Sequence, residues 1–328
     1  MKMGLQTKYH YKIHDKLYDL TDFVKIHPGG IDIFNNLKSD TNITPMIYAY
    51  HKNPKNILMV LPKYEIPLND TTIQYDTSYT YDKYCELKLL VYDEIHKKKI
   101  PLHWSNQEIT YNIFMILLYL RIWTYCFCNA NNLSYWWMVF LSIFSMGFGG
   151  LIFHEACHFA PFKNQKLNSL LSNIYPFANT EYWSYNHNYL HHSFTDTDYD
   201  CDLLIDKSDY VRYTNTKLKY NHRFQFIYMF FVFLIGGIIS DTKFYFSLVN
   251  SYKCVVFFIL YYFGICKTLL FFAVLGFHFS FTANLSHIHH ECIQINKEKK
   301  NDFLYNQVSS SMNFRTDDLI TRLLSLYI

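Results

Sequence analysis

Residues 134–158 read SYWWMVFLSIFSMGFGGLIFHEACH, and this stretch decides how the rest of the chain is understood. Residues 134–153 are apolar and near the ~20 residues that carry a helix across a bilayer. His154 and His158 follow directly, four positions apart. On a helix that spacing puts both imidazoles on one face, as chelation of a metal requires. The stretch therefore predicts a membrane helix that presents metal ligands beside the bilayer.

A second histidine cluster lies downstream in EYWSYNHNYLHHSFTDTDYDCD, residues 181–202, with His187, His191 and His192. One histidine in an apolar setting is usually packed or capped. Five in two clusters are harder to explain that way. Imidazole suits iron, zinc and copper, so the residues alone do not name the metal, and a zinc-binding or purely structural cluster stays open. Glu155, Asp196, Asp198, Asp200 and Asp202 are available to orient the rings. A third group, His287, His289 and His290, stands in ANLSHIHHEC. His278 reads as packed within an apolar run, and His96, His103 and His222 as surface residues.

Three further apolar regions, 110–128, 225–240 and 254–285, surround these clusters. Lys267 interrupts the last, and Arg121 inside the first must snorkel or pair. Residues 254–285 are too short for two full crossings, which favours four in all. Four crossings put 154–224 and everything after 286 on the side of the N-terminus. The basic residues of the central loop, among them Lys163, Lys166, Arg212 and Arg223, agree with a cytosolic face. Charged residues make up 17%, below the soluble average of about 25%. The 30 tyrosines and 29 phenylalanines suit membrane interfaces. A net charge of +3 does not argue for nucleic acid. The eight cysteines follow no disulfide framework and read as reduced thiols. The polar N-terminus has no signal-peptide core. Within the linker 76–108, Leu87, Leu90, Val91 and Ile95 approach helical spacing, as in an amphipathic surface helix.

The first 75 residues have a different character. KLYDLTDFVKIHPGG, residues 16–30, ends in His27-Pro28-Gly29-Gly30, and His51 follows 24 residues after His27. Two histidines on separate elements bordering a crevice can grip a haem iron from opposite faces. Pro28 fixes the backbone after the first, and the glycines permit turns and close approach of a flat ring.

Residues 8–66, with YDLTDF, HPGG and DTNIT before His51, resemble the cytochrome b5 family. That resemblance implies a one-electron carrier with haem b held by His27 and His51. The HxxxH and HxxxHH clusters resemble the membrane fatty-acid desaturase and hydroxylase superfamily. The second box departs from that pattern in having three residues rather than two before His191, and Cys201 where proline is common. This resemblance implies two non-haem irons held by His154, His158, His187, His191, His192 and His287, with His290 as a substitute ligand. The segment NDFLYNQVSSSMNF, residues 301–314, looks like the approach to the family's final QxxHH box, and the membrane domain is expected to be C-terminally incomplete.

The expected architecture is a small α+β cytochrome b5-like haem domain (1–75), a linker (76–108), and an all-α membrane domain (109–328) with about four transmembrane helices and a cytosolic histidine-rich cap. The layout resembles front-end desaturases, which implies O2-dependent desaturation of a membrane lipid or acyl-CoA. Electrons would come from NAD(P)H through a b5 reductase, in the endoplasmic reticulum. A lipid hydroxylase and a non-catalytic b5-type haem membrane protein are the alternatives.

Overall fold

The computed structural model describes residues 8–31, 34, 37–68, 73–74, 78–178, 180–195, 197, 199–200, 212, 218–234, 251–287 and 301–311. Its N-terminal part is built on a four-stranded mixed sheet, in the order β3-β1-β2-β4. Strands β1 (His10–Ile13) and β2 (Lys16–Asp19) form an antiparallel hairpin. β3 (Thr41–Asn42) runs parallel to β1, and β4 (Glu65–Ile66) antiparallel to β2. Alternation along β1 buries Tyr11 and Ile13 on one face. Helices α1 (Thr44–Tyr50) and α2 (Pro54–Val60) follow, each with a proline in its first turn, where no backbone donor is needed. His51 caps α1 between them, its N–H bonded to the Ile47 carbonyl.

The expected linker helix forms as α3 (Asp82–Lys97), and it has no buried residue. Leu87, Leu90 and Val91 are exposed along it. Lys88 reaches back to α1 and donates to the carbonyls of Tyr48 and Ala49, at 2.8 and 2.6 Å.

Three helices among the described residues are long and apolar enough to cross a membrane: Asn106–Cys128, Tyr135–Cys157 and Phe258–Thr282. The first, α4 (Asn106–Cys128), starts on a capping box between Ser105 and Glu108, and Arg121 lies on its exposed side. The second comprises α5 (Tyr135–Phe144), a π-helical segment Ser145–Gly150 and α6 (Leu151–Cys157). It runs past residue 153, where the apolar run was expected to end, so His154 sits on the membrane helix itself. Gly149 lets it close on its neighbour, since a Cβ there would lie 2.8 Å from the Tyr175 ring. Of the expected span 225–240, residues 225–234 are helical and the remainder lies outside the described residues. Short helices α7 (Gln165–Ser172), α8 (Thr180–Trp183) and α9 (His192–Phe194) form the central loop region.

The long helix α10 (Ser251–His287) breaks at Gly264, whose φ of 73° and ψ of 169° are essentially reserved for glycine. Beyond the break, Lys267 donates to the carbonyl of Ala130, in the turn after α4, at 2.9 Å. The lysine that interrupts the apolar run thus satisfies a backbone acceptor at one end of the bundle. From there the helix passes Trp123 and Phe177 through Phe271, and reaches Trp183 through Phe279. A final helix, α11 (Phe303–Ser309), packs Phe303 against Tyr79, Tyr81 and Tyr84.

Two large apolar clusters result. One fills the bundle, from Tyr119 and Trp123 through Met138 to Phe271 and Leu275. The other joins Tyr11, Ile13, Val24, Phe34 and Ile47 of the sheet region to Tyr189, Leu190 and Phe194 of the second histidine segment. The N-terminal unit and the histidine segment therefore share a core.

Candidate metal centre

His154 lies in α6 and His158 is its C-cap, with the His158 N–H bonded to the His154 carbonyl at 3.0 Å. The helix stops abruptly at that point. Phe159 adopts φ 58°, the Phe159 N–H returns to Ala156, and the Ala160 N–H returns to Glu155. This is a Schellman motif with a bulky residue at the position glycine usually takes, a conformation that costs roughly 1–2 kcal/mol. It fixes where the imidazole of His158 emerges.

The second histidine segment runs from α8 through the π-helical stretch Ser184–His191 into α9. The His192 N–H bonds to the His187 carbonyl, the i→i+5 closure of a π turn. That closure stacks residues five apart. In an α-helix, His187 and His192 would point in widely different directions. Here their Nε2 atoms lie 3.2 Å apart. The extra residue before His191 is absorbed by this widening.

Four imidazoles converge. Besides the His187–His192 pair, Nε2 of His154 is 3.1 Å from that of His187, and Nε2 of His192 is 3.2 Å from that of His158. A first-row ion with nitrogen ligands at about 2.0–2.1 Å holds neighbouring ligand atoms roughly 2.9–3.4 Å apart. The donor set and its spacing fit such an ion. His154, His158 and His187 alone form a compact group with ligand atoms within 4.8 Å of one another. Burial, reinforced by the neighbouring imidazoles, pushes His158 down to about 3 and His187 well below the ordinary imidazole range. Both are therefore neutral at physiological pH, with lone pairs available to a metal.

His191 has a different environment. Its Nδ1 lies 3.1 and 3.0 Å from the two oxygens of buried Asp200, and its ring stacks on His187 at 5.2 Å. A carboxylate so placed orients the ring and leaves Nε2 as the ligand atom. Among the other carboxylates expected to orient ligands, Glu155 instead accepts from Trp104 Nε1 at 2.8 Å, which ties α6 to the linker. Asp196, Asp198 and Asp202 lie outside the described residues, as do His289 and His290. His287 ends α10, with its side chain outside the described set. His278 is buried in the bundle, as its apolar surroundings suggested. His96 is exposed, His222 is half-buried, and His103 pairs with the Ala160 carbonyl.

Trp183 belongs to no metal-ligand pattern in the sequence. It stacks on His187 with ring centroids 4.4 Å apart and also touches Phe153 and Phe279. Its position four residues before His187 was the available signal.

These features sit on a stretch of recognisable kinship. A family model described as fatty acid desaturase matches residues 130–328, more than half the chain. The chain belongs to the fatty acid desaturase family. Among curated relatives, the acyl-lipid (8-3)-desaturase B of Dictyostelium discoideum is 26% identical over 232 residues, covering 66% of this chain and 48% of that protein. The acyl-lipid (8-3)-desaturase of Physcomitrium patens is 24% identical over 233 residues, with the same coverage. The Delta(5) fatty acid desaturase A of Dictyostelium discoideum is 25% identical over 236 residues, again with 66% and 48% covered. The chain spans about half the length of the curated relatives it matches. No solved structure gives a significant match.

N-terminal to the family-model match, His27 and His51 lie edge to face with ring centroids 6.0 Å apart and planes 78° apart. Nδ1 of His51 pairs with the Ile47 carbonyl at 3.1 Å, and that of His27 with the Gly30 carbonyl at 3.4 Å. Both Nε2 atoms are thereby left as ligand atoms. Two metal–nitrogen bonds of about 2.0 Å plus the two ring radii span roughly the observed distance. The separation leaves room for one metal ion between the two imidazoles.

Proposed function

We propose that the chain is an O2-dependent fatty acyl desaturase of the front-end type, with its own cytochrome b5-like electron donor. The observation that carries this reading is the convergence of His154, His158, His187 and His192 at the end of an apolar helical bundle. Desaturation converts –CH2–CH2– plus O2, two electrons and two protons into –CH=CH– plus two waters. Two histidine-held irons supply the O2 activation that no side chain can. The proposed ligands are His154, His158, His187, His191, His192 and His287, with His290 as a substitute.

The chain's own residues supply holding and exclusion. Asp200 keeps the His191 ring in one orientation and tautomer. Trp183, Phe153 and Phe279 form an aromatic wall beside His187, against which an acyl chain of a lipid or acyl-CoA is held away from water. His27 and His51 hold haem b, fed by an NAD(P)H-dependent b5 reductase.

The chain is proposed to cross the membrane four times. In support, the helix beginning at 225 packs along α10 through Phe230 and Phe233, which both touch Phe277. The haem unit and the histidine clusters then share the cytosolic face of the endoplasmic reticulum.

Expression in a lipid-producing host, with fatty-acid profiling and iron analysis, tests the reading. A new double bond and non-haem iron beside haem are expected. A hydroxylated product without a new double bond would replace it with a lipid hydroxylase. Haem iron alone would reject it in favour of a non-catalytic haem protein.

A further inference from the structure

A polar contact joins the His51 end of α1 to the second histidine segment. Tyr50, the last residue of α1 and the neighbour of His51, donates its hydroxyl to the backbone carbonyl of Asn188. Asn188 follows His187, and its side-chain Nδ2 donates to the carbonyl of Cys157 at 2.7 Å, next to His158. Asn188 is 5% exposed and thus joins three segments at once: the helix that ends at His51 and both helices that carry the metal cluster. The contact is held from both sides. Leu190 and Phe194 are buried in the core of the N-terminal unit, and Lys88 clamps the last carbonyls of α1. A domain on a loose tether would have its own closed core and a polar face towards the membrane unit; this one does not.

We propose that Tyr50 and Asn188 are positioning residues that form a fixed junction for electron transfer from a haem held by His51 to metal held by His187 and His158. This rests on the desaturase reading above. In each passage one ferrous haem becomes ferric and one ferric non-haem iron becomes ferrous, and two passages serve one turnover. The junction makes the transfer intramolecular, with no docking step.

Tyr50→Phe removes the hydroxyl and keeps the ring. The full chain, loaded with haem and non-haem iron, is reduced with dithionite and mixed with O2 and an acyl lipid, and haem re-oxidation is followed by its absorption. In the unaltered chain the rate constant is expected to be independent of protein concentration. In Tyr50→Phe it should fall by about tenfold, within the range that ångström-scale misplacement of reacting groups produces. Haem content, non-haem iron content and product formed in the first turnover from the pre-reduced protein should all stay unchanged, which a merely structural defect would not allow. In the metal-free chain, amide exchange should rise in both 44–51 and 184–194. A re-oxidation rate within twofold of the unaltered chain, with both irons present, overturns the junction and leaves the desaturase reading standing. Failure of the unaltered chain to hold haem or non-haem iron overturns both.

Discussion

Asp200 shows how much of the site depends on a residue that does not itself converge with the ligands. Both its oxygens reach His191 Nδ1 in a place without solvent, so the contact is a charge-assisted one with little competition from water. Asp200→Asn keeps the shape and removes the charge. Metal affinity should fall about ten- to a hundredfold, read by competition with a chelator, while haem content stays constant. At His27 and His51, desolvation by burial holds both imidazoles below the usual range. Below pH about 6.5 the unfolded chain therefore binds more protons at these positions than the folded one. Stability of the N-terminal unit is accordingly lost as pH falls from there through the lowered folded values. The haem absorption of the loaded protein should persist at about pH 6 and decay on further acidification, as a spectrophotometric titration will reveal.

At the scale of elements, two departures from ideal helices shape the site. The π turn at Ser184–His191 brings His192 beside His187, and Gly264 interrupts α10 with a kink. Space is not the constraint at Gly264, where an added Cβ would meet nothing within 4 Å. The constraint is backbone conformation. Gly264→Ala should destabilise the bundle by about 1–3 kcal/mol, seen as a lower unfolding midpoint in detergent. Sequence patterning locates the apolar run of α10, but it assigns no helix to 184–191 and gives no sign of either irregularity. The spacing of His154 and His158 is legible because an α-helix repeats regularly. The i→i+5 pairing of His187 and His192 is not, because an α-helical reading separates those two side chains. Phe159 gave no signal either, since left-handed backbone favours glycine or asparagine.

For the whole molecule, topology is the main consequence. Cys85 precedes α4 in the partly exposed linker and Cys128 ends α4 on its exposed side. If α4 crosses the bilayer, chains retaining only one of these two cysteines should react with a membrane-impermeant maleimide from opposite sides of sealed vesicles. Labelling of both from the same side would remove α4 as a span. The same arrangement explains why Lys267 is tolerated. It sits in an apolar sequence yet lies next to the Ala130 turn at the end of the bundle.

Three apolar helices, the two histidine clusters and the HPGG segment with its second histidine are legible along the chain. These are local patterns, written in hydropathy, period and spacing. Tertiary structure alone decided that Glu155 answers to Trp104, that Trp183 lies on His187, and that Tyr50 meets Asn188. Such contacts join residues from separate elements. Which partner wins depends on how buried polar groups are satisfied when those elements pack, and no spacing along the chain encodes that.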